Sequence, residues 1–400
     1  MSMKAFKITL VAILMLIFSH FMSLIAYINW GGRMDRIACA IIFIIVILNR
    51  KKIPYVKSSK YLILLMLIPF VSIFSSFTLH NQSIVDGVNS TFIHLTYMFL
   101  FLLFIFDTNK DDLLKVIIVL GIVWCCIQIF QQISYPKVLF GTRFETFYNE
   151  IEIRNGIYRY NVTGVEFALI LLFYCFEQFL RKGRTLNILG LLLACIGIYL
   201  LTTRQVIFAA ILCMAYAMFA LKKIKLNSFV FIIIFCYIVY MYSQNLFGYF
   251  IEMTEGIDKD YVRFLSYRFF GLDYNDGQVL PFLIGNGMWS DSSEYGYDML
   301  RYADYGLHQS DIGIVGMYSL YGIFYVIVII LFFIYLIKRF KYIDVYLRMY
   351  AIYMLITSIM LHHFGSSSYK IMILCCYIYL VEKSVIYHKS IKQQITLYGK

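Results

Sequence analysis

Charge is scarce: Asp, Glu, Lys and Arg supply 14% of the 400 residues, against about 25% in a soluble domain. Proline, at four residues, is too rare for Pro-rich linkers, collagen or low-complexity architecture. There is no C-x-x-C pair, and none of the nine cysteines lies in a polar loop, so neither a disulfide framework nor a zinc site is indicated. Cys39, Cys125, Cys126, Cys175, Cys195, Cys213, Cys236, Cys375 and Cys376 all lie in apolar stretches and are expected to be buried structural thiols. Walker, G-x-G-x-x-G, HExxH, GxSxG and EF-hand patterns are also absent, which argues against ATP or a sugar nucleotide as direct substrate.

What fills the chain instead is apolar. Hydrophobic residues make up 61% and aromatics 18%, and the mean hydropathy is +0.75. A membrane-spanning helix needs about 20 mostly apolar residues, and twelve stretches qualify: 8–28, 34–49, 61–79, 90–106, 113–133, 163–180, 186–203, 204–221, 226–243, 311–337, 346–363 and 367–387. The first is too long and lacks a small-residue cleavage site, so it reads as an anchor. The expectation is an all-α polytopic membrane protein, one integral domain over 1–400, with both termini cytoplasmic. In that orientation 23 of the 35 Lys and Arg residues fall in short cytoplasmic segments, as the positive-inside rule requires. The net charge of +12 is thereby a topology signal, and no nucleic-acid partner is expected.

Two long loops then face outward, at about 134–162 and 244–310, while the inner turns are short. The second loop carries ten acids against Lys259, Arg263, Arg268 and Arg301. It also holds many aromatics, among them Trp289 and Tyr305. Carboxylates accept sugar hydroxyl protons and flat rings cover the apolar sugar face, so this composition suits carbohydrate. It equally fits a solvated loop with interfacial aromatics.

Arginines at the outer boundary say more, because an unpartnered guanidinium there is costly and its fork matches phosphate oxygens. Arg143, Arg154 and Arg159 occupy the first loop, and Arg204 lies in the Thr202–Gln205 turn between the seventh and eighth spans. The spans themselves carry little charge beyond Glu166 and Glu177 in the sixth. Among seven histidines, His308 stands where the second loop enters the tenth span, one turn before Asp311. A neutral imidazole there can take a proton from a hydroxyl nucleophile while a carboxylate orients it. His20, His80 and His94 read as interfacial. Adjacent His362 and His363 point to different faces, a poor metal pair.

Twelve spans, long loops after the fifth and ninth, and the T-x-R turn at Arg204 resemble the O-antigen polymerase/ligase superfamily. Phe282-Leu283-Ile284-Gly285-Asn286-Gly287, then His308 and the Gly313/Gly316/Gly322 run, look like that family's second loop. The resemblance implies a glycosyltransferase of the bacterial cytoplasmic membrane, facing the periplasm or cell exterior. It would polymerise undecaprenyl-diphosphate-linked repeat units into O-antigen or capsular polysaccharide, with no metal and no cofactor. Arg154, Arg159, Arg204, Arg263 and Arg268 would hold the diphosphate, His308 with Asp311 would move the proton, and Trp289 and Tyr305 would contact sugar. Membrane lipid, a chain-length regulator and a flippase would be its partners. In one departure, some polymerases place ten residues between an arginine and a glycine in both loops; here nine separate Arg154 from Gly164 and no second-loop arginine fits. An O-antigen ligase-type transferase and a lipid-linked oligosaccharide flippase are the alternatives.

Overall fold

The computed structural model describes residues 3–54, 56–143, 153–154, 156–221, 262–365 and 367–398. The expected ninth span, 226–243, lies outside these, as does Cys236. The first eight helices are α1 (Met3–Phe18), α2 (Ile25–Leu48), α3 (Ser59–His80), α4 (Ile84–Ile105), α5 (Lys110–Ile133), α6 (Val165–Lys182), α7 (Thr185–Leu200) and α8 (Arg204–Ala220). Three short helices follow: α9 (Val262–Arg268), α10 (Val279–Ile284) and α11 (Glu294–Asp304). Then come α12 (Gly313–Ile337), α13 (Val345–Thr357) and α14 (Ser368–Tyr398). The only strands among the described residues are two-residue pairs in the first loop: β1 (Thr142–Arg143) with β4 (Tyr160–Asn161), and β2 (Ile153–Arg154) with β3 (Ile157–Tyr158).

The chain is therefore all-α and built for a membrane. Among the described residues, α3, α4, α5, α12 and α14 over Ser368–His388 are long and apolar enough to cross one. The 24 residues of α5 reach about 36 Å at 1.5 Å per residue, more than the roughly 30 Å hydrocarbon core. Helix α14 is central, since every residue from Ile371 to Val381 is buried. Apolar side chains cover its whole circumference there, as a fully enclosed helix requires. Helices α2 and α3 instead turn Ile37, Ile41, Ile44, Val71 and Phe74 outward. Six described cysteines are buried as expected; Cys195 is half-buried, and Cys126 lies exposed on α5, one residue round from buried Cys125.

Ion pairs gather the ends of many helices together. Lys4 meets Asp112 (2.9 Å), Lys110 meets Asp344 (2.5 Å) and Lys383 meets Asp107 (2.7 Å). These residues belong to the basic turns of the sequence pattern, all at one end of the bundle. Buried Glu382 also sits there, accepting from the Tyr335 hydroxyl and facing Arg339 Nη1 at 3.2 Å. With Asp35 on α2, it adds to Glu166 and Glu177 as a buried acid within the helices. Removing one partner of a buried ion pair strands the other's charge. Glu382→Ala should accordingly cost about 3–5 kcal/mol, read by thermal unfolding in detergent. Glu382→Leu combined with Arg339→Met should recover most of that loss.

Several boundaries differ from the sequence reading. The first two spans were expected to break near 29–33, but the break lies at His20–Ser23, where φ is +50°, +45°, +57° and +65°. Four L-residues in left-handed conformation cost about 1–2 kcal/mol each. The chain at Gly141 and at Thr163 holds them there. Thr163 Oγ1 donates to the Ser19 carbonyl (2.7 Å), its N–H donates to Ser23 Oγ (3.0 Å), and Gly141 N–H donates to the Ser23 carbonyl (2.7 Å). The eleventh span ends at Thr357 rather than 363. The chain from Ser358 onward leaves the helix to pack against the start of α12, where a Cβ on Gly313 would approach the Ser358 carbonyl to 2.1 Å.

Candidate functional site

The opposite end of the bundle carries the described part of the second loop, residues 262–310, which packs onto the helices. Its anchor is the Phe282–Gly287 segment. Helix α12 breaks at Gly322 (φ +75°, ψ −178°), freeing backbone carbonyls within an apolar bundle. Asn286 N–H donates to the Ser319 carbonyl and Gly287 N–H to the Leu320 carbonyl, both at 2.9 Å. The Ser319 and Leu320 carbonyls at the break are thus paired by the loop, the kind of compensation that irregular chain within an apolar bundle requires.

Side chains then lock the loop to the top of α3 and the start of α4. Asn286 lies 3.1 Å from His80 Nε2 and donates to Asn275 (2.8 Å). The His80 ring stacks on Tyr295 at 4.1 Å. Gln82 donates to the Met288 carbonyl and accepts from Ser290 N–H and Ser293 Oγ, each at 2.9 Å. Burial drives the Tyr274 and Tyr295 hydroxyls above the usual phenol range, so both stay neutral. His80 and His94 are accordingly structural, not interfacial: His94 is wholly buried, bonded through Nδ1 to the Thr91 carbonyl.

Between this locked loop, α2 and the N-terminus of α14 lies a cavity of about 290 Å³. Asp35, Arg36, Asn89, Trp289, Asp291 and Ser368 are among its lining residues. Asp35 is buried; its Oδ2 lies 3.1 Å from His20 Nε2, and its Oδ1 has no hydrogen-bond partner among the described residues. His20 belongs to the left-handed turn clamped by Thr163, which links Asp35 to the segment just before α6. A cavity of this size is at the small end of ligand pockets, about 300–1,000 Å³. It offers an aromatic face, acids and a guanidinium, beside a helix N-terminus that favours negative charge.

The residues expected from sequence are distributed around this layer. Trp289 lines the cavity, half-buried. Tyr305 closes α11 and is 75% exposed. His308 is exposed; its backbone N–H donates to Ser266 Oγ on α9 (3.2 Å). Asp311 is exposed too, accepting from Ser310 Oγ (3.2 Å). Among the described residues no hydrogen bond or ion pair joins the two side chains. The orienting pair expected for His308 does not form here: His308 is extended (φ −102°, ψ 110°) and precedes the 3-10 turn Gln309–Asp311 instead of lying in a helix with Asp311.

Of the arginines, Arg263 on α9 is half-buried, with Nη1 3.9 Å from Met360 Sδ and a buried Nε that lacks a hydrogen-bond partner among the described residues. Arg268 is exposed, 3.5 Å from Asp273. Arg204 opens α8 behind left-handed Thr202, and Arg159 is half-buried between β3 and β4. Arg154 ends β2; its side chain lies outside the described part of the structure, as does that of Arg143. His362 and His363 are buried, and the latter's Nε2 bonds Thr357 Oγ1 (2.7 Å). No cluster of His, Cys, Asp or Glu with metal-holding geometry occurs among the described residues.

No protein-family model and no curated protein matches this chain. Its chemistry must be argued from the site itself.

Sequence reasoning missed His20, Asp35 and Arg36. A signal was present: Arg33-Met34-Asp35-Arg36 sets three charges at the head of an otherwise apolar run to Leu48, and charge inside a spanning segment is a functional pointer. Taking the helix break near 29–33 put Asp35 and Arg36 at the very start of the second expected span, 34–49, where boundary charge is ordinary.

Proposed function

We propose that this protein is a membrane glycosyltransferase that joins lipid-diphosphate-linked oligosaccharide units, of the O-antigen or capsule polymerase type. The observation that carries the reading is the cavity itself. It places an aromatic wall, acids and an arginine where a folded outer loop meets apolar helices. A glycan on a lipid diphosphate has that mixed chemistry, with sugar faces, hydroxyls, phosphate and an apolar tail.

In this reading the end rich in basic turns is cytoplasmic and the cavity opens on the outer face of a bacterial cytoplasmic membrane. Both termini and twelve spans belong to the same proposal. The diphosphate is held by arginines of the outer layer, from Arg154, Arg159, Arg204, Arg263 and Arg268. Arg263 has the strongest support, since its buried Nε has no acceptor among the described residues and a phosphate oxygen would supply one. Charge developing on the leaving diphosphate is where fixed guanidinium groups lower the barrier most. Trp289 offers its face to sugar, and the coupling needs a proton acceptor, a role that the resemblance by itself would give to His308.

Surface glycan from a strain lacking the gene tests this. The expected gel pattern is lipid carrying a single repeat unit with no ladder. Unattached full-length polymer would instead assign a ligase. Repeat units trapped on the inner leaflet would assign a flippase.

A further inference from the structure

We propose that Asp35 is the catalytic base, taking the proton from the acceptor sugar's hydroxyl in the cavity beside Trp289. The inference rests on the transferase reading and goes beyond it in assigning the proton to a residue of the second helix.

Three observations converge on Asp35. First, its carboxylate is buried, yet one oxygen has no hydrogen-bond partner among the described residues. Leaving a buried charged acceptor unsatisfied costs more than the roughly 1–3 kcal/mol of a neutral group, so such a group calls for a donor supplied from outside. Second, Asp35 lines the cavity with Trp289, Asn89 and Asp291. A sugar ring lying on the indole would bring hydroxyls, which are donors, to these acceptors. Third, the other oxygen is held by His20 Nε2 at 3.1 Å, and His20 sits in the left-handed turn that Thr163 clamps. Strained backbone that its surroundings over-determine is characteristic of functional sites. Oδ1 is closed off in the arrangement seen here; rotation about the broad, two-fold χ2 of aspartate would turn one oxygen to the cavity while its twin bonds the imidazole.

His308 compares poorly as a base in this geometry. Its ring is exposed and Asp311 does not orient it. Asp35 has the burial, the orienting partner and the cavity.

The step balances without a further reactant. The acceptor hydroxyl gives its proton to Asp35 as its oxygen forms a bond to the donor's anomeric carbon. The bond from that carbon to the phosphate oxygen breaks, and its electron pair leaves with the lipid diphosphate. Asp35 then returns the proton to water. His20 is a positioning residue, acting through its hydrogen bond to Asp35.

The test uses purified full-length protein in defined lipid, supplied with lipid-diphosphate-linked repeat units, with chain growth and substrate binding measured separately. Asp35→Asn keeps the shape and removes the base. It should lower kcat by about 10²–10⁴-fold, the usual range for a positioned proton acceptor, with binding of the lipid-linked unit unchanged. Asp35→Glu should recover part of the rate, which a purely structural carboxylate would not do if the Asn variant is equally monodisperse and heat-stable. Coupling by wild type together with near-normal turnover by Asp35→Asn overturns the inference alone. So does a large kcat loss in His308→Ala beside an active Asp35→Asn. Failure of wild type to couple lipid-linked units at all overturns the transferase reading, and this inference with it.

Discussion

Gly322→Ala should yield no monodisperse protein. Gly322 and Gly285 face each other backbone to backbone, with φ/ψ of +75°/−178° and +77°/179°, a region that only glycine occupies readily. A Cβ on Gly322 would lie 2.3 Å from the Leu283 carbonyl oxygen, and one on Gly285 would lie 2.2 Å from both Leu320 O and Tyr321 N. Neither neighbour is a flexible side-chain tip that could swing aside. Strain of about 1–3 kcal/mol and overpacking of a similar size together approach the whole stability of a typical domain, about 5–15 kcal/mol. The substitution would also part Asn286 and Gly287 from the Ser319 and Leu320 carbonyls, undocking the second loop. Gly277→Ala is the contrast. That residue is also left-handed, at φ +69°, but has open space around it, so the cost should stay at about 1–2 kcal/mol. Fluorescence-detected size exclusion of tagged variants separates the two. A sharp, wild-type-like peak for Gly322→Ala would mean that the docking at the helix break is not required for folding.

The helical membrane architecture was legible in the sequence because lipid imposes a coarse rule: long apolar runs, with charge in the turns between them. The Lys and Arg distribution likewise marked which turns would meet at one end, and Lys110 with Asp344 and Lys383 with Asp107 now join those turns. Even the Phe282–Gly287 stretch stood out, through its two glycines flanking an asparagine. What sequence could not show was tertiary. A left-handed turn of His, Phe, Met and Ser carries no glycine to announce it; it exists because Thr163, some 140 residues on, bonds it in place. Asp35 gains its meaning only when the helix is seen to begin at Ile25 instead of beyond residue 33. Conversely, the spacing of His308 and Asp311 suited a regular helix turn and promised an oriented pair. His308 is instead extended ahead of the short turn that holds Asp311, and both side chains are exposed.

On the proposed transferase function, Arg263→Ala should reduce turnover by about 10²–10³-fold, the usual cost of deleting one preorganised donor to developing charge, while leaving stability unchanged or slightly raised. The second half of that expectation is what gives the experiment its force. A guanidinium normally stabilises a fold through the hydrogen bonds it makes, and removing it then destabilises. Arg263 makes a long contact to a thioether, 3.9 Å from Met360 Sδ, and its buried Nε has no acceptor among the described residues. Replacing such a group by an apolar side chain removes a desolvation penalty instead of a bond. Arg263→Lys separates charge from shape, because an ammonium keeps the charge but cannot present the planar two-donor fork to a phosphate. It should fall between wild type and alanine, with most of its loss in kcat. Both variants are to be assayed in defined lipid at matched protein, with unfolding temperature measured alongside. If Arg263→Ala unfolds several degrees lower and loses activity only in proportion to the folded fraction, the guanidinium is a packing element and the diphosphate must be held by the other arginines of the outer layer.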